Sequence, residues 1–385
     1  QILIWFLKKN KKMKLNHVIL YYPSMEKGGI EVNIRHLIKY LTNKGIKISL
    51  ISNKIDTKGL KLNKKKFELI KTDTKFTYSI LPYRFLTSLF SIKKLIQTIK
   101  NNRKEKTVVF SMQSSMVSIL ISKFYNTKVV ARNSEDPISS TIYANNYITS
   151  IIVFFFRFII YNFADGILTN SYGSRKSLKL FLINKNKIKT IYNPYLLNIK
   201  KKPNYKKRNV ILSIGRLVKQ KNFETLIRGF SIFSKDYPNY KLIILGDGPE
   251  KEKLNQLIRN LNCNKKIILK GWIKNTNKYF FTSKLFILTS LYEGLGNVFI
   301  DAVNHEVPCI YTNCKSGPNE ILLGKKGGYQ IKLKDYKQLA KTIKKALVDY
   351  KSSVTMIKNS KKKINRFLYE DVCPKYLAYL KKISK

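Results

Sequence analysis

Acidic residues are scarce in this chain: 22 Asp and Glu stand against 75 Lys and Arg, a formal net charge of +53 over 385 residues. Such a field repels cationic partners and leaves two explanations for itself. One is an anionic partner, a nucleic acid or a lipid surface. The other is compositional drift, since only 11 of the 75 basic residues are Arg while Lys, Asn and Ile abound. A surface selected to read bases and phosphates would be richer in the forked guanidinium, so no nucleic-acid partner is expected. Histidine and cysteine are also sparse. His17, His36 and His305 with Cys263, Cys309, Cys314 and Cys373 make no CxxC pair and no zinc spacing, so no metal is expected. His36 reads as a helix-surface residue, His305 as a helix-end residue, and Cys309 and Cys314 as free thiols beside a sheet. So few cysteines, with no signal peptide, point to the reducing cytoplasm.

Long apolar runs are missing as well. The most apolar stretch, ITSIIVFFFRFIIYNF from Ile148 to Phe163, is shorter than the ~20 residues that cross a bilayer and carries Arg157 centrally. It reads as a buried helix, with a surface helix dipping into the lipid interface as the alternative. The aromatic, then Lys-bearing stretch from Phe76 to Ile99 would share that face. Residues 1–12 precede Met13, which reads as the natural start.

What is present describes an α/β protein. At 44% apolar and 25% charged the composition is that of a folded chain, and its length implies two domains. Residues 13–200 begin with a strand from His17 to Tyr22, the loop PSMEKGG, and a helix with apolar residues at Ile30, Ile34, Leu37, Ile38 and Leu41. A second strand, Lys47 to Ile51, completes a βαβ unit whose Gly28–Gly29 loop is either a ligand loop or a plain tight turn. Further strands are expected at 107–110, 127–131, 166–168 and 188–192. ARNSEDP sets Arg132 and Asn133 at a strand's carboxyl end, a substrate-facing position or ordinary loop polarity. The linker is IKKKPNYKKRN (199–209). Residues 210–365 then repeat the strand–loop–helix series, and a helical tail, 366–385, is expected to pack back on the first domain.

The second series is organised around LFILTSLYEGLGNVFIDA, residues 285–302. A buried strand ends in a polar turn with Glu293, Gly294 and Gly296, and a helix begins near Asn297. Ligands of open α/β sheets bind at such strand ends, where glycines admit close approach and the helix start offers unpaired N–H groups to an anion. With Glu293 and Asp301 beside it, this arrangement suits a molecule anionic at one end and hydroxyl-rich at the other, such as a sugar nucleotide.

These motifs have a family likeness. SIGRLVKQKNF, LIILGDGPE, GWI and SLYEGLGNVFIDA followed by CKSGPNEIL resemble family 4 glycosyltransferases of the GT-B fold. KGGIE, ADGILTNSYGSRKSL and IYNP look like the same family's first-domain landmarks. The resemblance implies two Rossmann-like domains facing across a cleft and a retaining, metal-independent transfer with no cofactor beyond a nucleoside-diphosphate sugar, UDP favoured. It implies that Arg216 and Lys221, after Gly215, clamp the diphosphate; that Glu293 contacts the donor sugar; and that Gly294, Leu295, Gly296, Asn297 and Val298 present backbone amides. Gly271, Trp272 and Ile273 would border the base, Asp301 would reach the ribose, and Gly28 and Gly29 would face the diphosphate from the other domain. The expected acceptor is a glycan or a polyprenyl-diphosphate-linked glycan, worked on by an enzyme peripheral to the inner face of the cytoplasmic membrane. Three positions depart from the family's pattern: Asp301 stands for a glutamate, Glu306 for a common glycine, and no histidine accompanies Arg132–Asn133. An epimerase or hydrolase on the same donor pocket, and an inactive basic membrane-binding homologue, are the alternatives.

Overall fold

The computed structural model describes residues 15–25, 28–57, 61–72, 83–144, 146–200 and 206–385. The sequence readings at residues 1–12, Lys27, 76–82 and 201–205 lie outside these. The first domain holds strands β1 (His17–Tyr21), β2 (Lys47–Ser52), β3 (Phe67–Lys71), β4 (Thr107–Ser111), β5 (Lys128–Asn133), β6 (Gly166–Thr169) and β7 (Ile188–Thr190). Its helices are α1 (Gly29–Asn43), α2 (Tyr83–Asn101), α3 (Ser115–Phe124), α4 (Pro137–Ile142), α5 (Tyr147–Tyr161) and α6 (Tyr172–Lys179). The second holds β8 (Val210–Ile214), β9 (Lys241–Leu245), β10 (Ile267–Leu269), β11 (Leu285–Leu288), β12 (Cys309–Thr312) and β13 (Tyr329–Ile331). Around them run α7 (Phe223–Asp236), α8 (Lys251–Asn260), α9 (Asn277–Thr282), α10 (Asn297–Asn304), α11 (Pro318–Ile321), α12 (Tyr336–Val348), α13 (Tyr350–Lys361) and α14 (Tyr369–Ile383).

Both sheets are wholly parallel and doubly wound. Their orders are β3-β2-β1-β4-β5-β6-β7 and β10-β9-β8-β11-β12-β13. Helices cover both faces, so the central strands are apolar on both sides; every residue of β1 and of β11 is buried. Strand order reverses between β1 and β4 and between β8 and β11, and the crevices at those switch points are where ligands of such sheets bind. The edge strand β3 escapes sequence detection: FELIK is only partly buried and carries charges, as edge strands do.

The C-terminal helix belongs to the first core. Val372, Cys373, Tyr376 and Leu380 on α14 cluster with Ile34, Leu37 and Leu41 of α1 and with Phe110 of β4. The chain thus crosses between domains twice, at the linker and before α14.

Two expectations are corrected. The stretch from Ile148 to Phe163 is not a buried helix: α5 buries only Phe158 and Tyr161, while Ile148, Ile152, Phe155, Phe156 and Ile159 are half or more exposed. Its apolar residues run all round the helix, and one domain core can cover only one side. His36 is not on the surface. It is 6% exposed, its Nδ1 sits 2.6 Å from the Pro194 carbonyl, and burial lowers its pKa. The helix period alone could not show that the 191–194 segment and α14 close over this side of α1.

Candidate active site

The loop after β8 carries Gly215, Arg216 and Lys221, and it is braced from behind by the end of β9. Leu217 N donates to the Asp247 carbonyl (2.9 Å), and Glu250 N donates to the Leu217 carbonyl (3.0 Å). GDGPE is therefore the support of the cationic loop. Beyond it, Gly246 N donates to the Gly271 carbonyl at 2.7 Å, which fixes the Gly271–Ile273 turn next in line. Trp272 there is half exposed.

The turn after β11 faces this loop across the switch point. Leu291 N donates to the Gln220 carbonyl (2.8 Å), and Gln220 Nε2 donates to the Tyr292 carbonyl (3.0 Å). These bonds bring two residues remote in sequence together: the Lys221 ammonium pairs with Glu293 Oε1, the side chains only 14% and 6% exposed. Ser290 Oγ donates to the same carboxylate oxygen at 2.7 Å, and Ser316 Oγ donates to the Glu293 carbonyl at 2.6 Å. Glu293 is thus held at both its carboxylate and its backbone. Arg216 is exposed on the outer side, and its charge bears on Tyr292, whose hydroxyl burial pushes up to about 12.

Gly296 takes a left-handed φ of 79° at the cap of α10, a conformation that disfavours any side chain. Gly294 is excluded from bearing one by contact instead: a Cβ there would stand 1.7 Å from the Ser134 carbonyl of the first domain. A Cβ on Gly29 would meet Asn297 Nδ2 at 2.6 Å. Gly29, Gly294 and Asn297 therefore mark where the two domains come together, around the first amides of α10. Asn193 Nδ2 donates to Asn297 Oδ1 at 2.6 Å, and Arg132 donates in turn to Asn193 Oδ1.

Other carboxylates near the site take different roles. Asp301 Oδ2 accepts from Tyr195 Oη at 2.6 Å, and burial pushes its carboxyl up to about 7. Glu320 accepts from Tyr172 N and Gly173 N, each at 2.9 Å, and from Tyr192 Oη at 3.1 Å. A second-domain acid thereby caps the positive end of α6 in the first domain. Glu306 has φ of 53°, a left-handed value that accounts for glycine being common there, and Lys361 Nζ holds its carboxylate at 2.7 Å. His305 ends α10, its Nδ1 2.7 Å from the Asp301 carbonyl, and Cys309 and Cys314 are buried free thiols.

Sequence reasoning named Lys221, Glu293 and the 294–298 turn, and the fold sets them side by side. It missed Tyr195 and Glu320, polar residues whose partners lie in other elements and leave no local pattern, and Ser290, which lies three residues before Glu293 in the same turn. Among the described residues no group of three or more His, Cys, Asp or Glu could hold a metal ion.

Comparison with known proteins bears on the second domain and on the fold. Residues 197–363 match the family described as glycosyl transferases group 1. An uncharacterised glycosyltransferase of Methanocaldococcus jannaschii is 35% identical over 261 residues, 63% of this chain and 63% of that protein, so the chain spans less than two thirds of that relative's length. The N-acetylgalactosamine-N,N'-diacetylbacillosaminyl-diphospho-undecaprenol 4-alpha-N-acetylgalactosaminyltransferase of Campylobacter jejuni is 29% identical over 303 residues, 77% of this chain and 82% of that one. Among solved structures, Anabaena HepE in complex with UDP and glucose superposes with a TM-score of 0.75 at 18% identity, covering 94% of this chain and 98% of that one. Sucrose-phosphate synthase from Thermosynechococcus elongatus gives 0.79 at 16% identity, covering 96% and 99%. By that match and its pair of facing doubly wound sheets, the chain carries a glycosyl transferases group 1 domain over residues 197–363 and has the GT-B fold.

Proposed function

We propose that this protein is a retaining glycosyltransferase that moves a hexose or N-acetylhexosamine from a UDP-sugar to a polyprenyl-diphosphate-linked glycan in surface-polysaccharide synthesis. The observation that carries the reading is the Lys221–Glu293 pair, buried at the switch point of the second sheet beside the amides of 294–298. When a glycosyl–phosphate bond breaks, negative charge builds on the leaving diphosphate and positive charge on the anomeric carbon. Lys221 and Arg216 supply the cationic side, the start of α10 supplies amide donors, and Glu293 is the acceptor for the sugar's hydroxyls. A preorganised donor of this kind lowers a barrier by ~2.7–4 kcal/mol. These cations make a metal unnecessary, so turnover should survive EDTA. The Campylobacter relative, whose name specifies an undecaprenol-linked acceptor, supports the acceptor class.

The same proposal puts the enzyme at the inner face of the membrane. Among the described residues no helix is long and apolar enough to cross one. The exposed face of α5 continues onto Leu120 and Phe124 of α3 and onto Leu180, Phe181 and Ile183, with Phe181 against Phe154 and Phe158. An exposed apolar patch of that extent on a strongly basic protein suits an anionic lipid surface.

The test is a donor screen: UDP-sugars offered with lipid-extract acceptor, reading released UDP with and without EDTA. Acceptor-dependent UDP release supports the reading; none with any nucleotide sugar rejects it.

A further inference from the structure

Arg132, singled out in the first domain together with Asn133, is not used by the donor site. It lies near the end of β5, 4% exposed, and the guanidinium has five N–H donors. One Nη2 hydrogen goes to Asn193, the Tyr376 ring centroid lies 5.9 Å from the guanidinium carbon, and among the described residues the buried Nε and Nη1 have no hydrogen-bond partner. Among the described residues no carboxylate pairs with it. A guanidinium cannot shed its charge, and a buried charge without a counter-ion is costly, so such a residue calls for an anion. Its position says which kind. Arg132 holds Asn193, Asn193 holds Asn297, and Asn297 is the first residue of α10 and the neighbour of Gly29, where the two domains meet.

We propose that Arg132 is an oxyanion-binding residue of the interdomain site, taking a phosphate oxygen of a diphosphate from the first-domain side. The inference rests on the diphosphate chemistry proposed above. Two sources share that chemistry, the donor's diphosphate and the one in a lipid-linked acceptor.

The test is calorimetry of the full chain with inorganic pyrophosphate and with UDP, and kinetics with a farnesyl-diphosphate-linked sugar against the corresponding alkyl glycoside. Arg132→Gln should weaken pyrophosphate roughly tenfold to a hundredfold, as loss of a hydrogen bond to a charged group does, and Arg132→Lys should recover part of it. A parallel loss for UDP assigns the donor as the source. A rise in KM confined to the diphosphate-linked acceptor assigns the acceptor. Asn193→Asp, nearly isosteric, gives Arg132 a counter-ion and should weaken the same ligand, which keeps the inference testable if Arg132→Gln fails to fold. A merely structural Arg132 would lower the melting temperature and leave affinities unchanged in Arg132→Lys and Asn193→Asp; that result overturns the proposal. Pyrophosphate binding needs no turnover, so it stands or falls separately from the transferase reading.

Discussion

The Lys221 ammonium and the Glu293 carboxylate form an ion pair across 72 residues of sequence, joining the loop after β8 to the turn after β11. Its consequence is that neither residue can be removed cleanly. Truncating one partner of a buried pair leaves the other uncompensated, at ~3–5 kcal/mol. Lys221→Ala and Glu293→Ala should each lower the melting temperature more than the double variant Lys221→Met/Glu293→Gln. All three should lose at least about 10²-fold in turnover. Melting curves with a UDP-release assay check this, and a single variant keeping a tenth of wild-type turnover would remove the pair from the site.

Glu320 links the domains through three hydrogen bonds to Tyr172, Gly173 and Tyr192. Hydrogen bonds to a charged group contribute ~1.5–3 kcal/mol, and the cap on α6 adds to them. Glu320→Gln should therefore loosen docking while leaving each sheet intact. Small-angle scattering should show a larger radius of gyration, and kcat and KM should change together, as for an altered domain closure. An unchanged radius with unchanged kinetics would show that other contacts suffice.

Much of the second domain was legible because each of its motifs is a strand end followed by a glycine turn and a helix start. LFILTSLYEGLGN carries its strand, its turn and its helix cap in consecutive residues, so Glu293 and Gly296 could be placed from sequence. What Glu293 touches could be read only in part: Ser290 sits three residues before it in the same turn, but Lys221 and Ser316 arrive from two other segments. The helix α5 shows the opposite limit. Its apolar residues are evident in the sequence, but which of them the domain covers is decided by α3 and by Phe181, and a run apolar on all sides gives no clue. Edge strand β3 was lost for a related reason: Glu68, Lys71 and partial burial guard an open edge but hide it from a pattern search.

Asp301 gives the account a pH signature. Burial raises its carboxyl from 3.8 to about 7, with the Tyr195 hydrogen bond opposing. A group that holds its proton more tightly when folded contributes stability that is complete below its unfolded value and lost as pH rises through the folded one. Wild type should therefore lose melting temperature relative to Asp301→Asn as pH rises from 5 to 8. His17 and His305, both pushed down to about 4 by burial, act in the opposite direction below pH 6.5 in both proteins, so the difference isolates Asp301. A pH-independent difference would mean that Asp301 is ionised throughout.

The exposed face of α5 predicts how the protein meets lipid. Phe155→Ser/Phe156→Ser removes two rings each worth ~1.5–3 kcal/mol on burial, without touching the core residues Phe158 and Tyr161. Sedimentation with anionic vesicles should fall by tenfold or more while the melting temperature stays within a degree or two. Wild-type binding should weaken as salt is raised and vanish with neutral lipid. Equal binding of wild type and variant would locate the contact elsewhere.

The measurement that bears most directly on the site is a crystal structure of the full chain with UDP at saturating concentration. The account predicts the diphosphate between the two sheets, within hydrogen-bond reach of Lys221 Nζ and the amides at the start of α10, with the Lys221–Glu293 contact lengthened to admit it. A nucleotide bound away from that turn, with Lys221 and Glu293 still closed on each other, would contradict it.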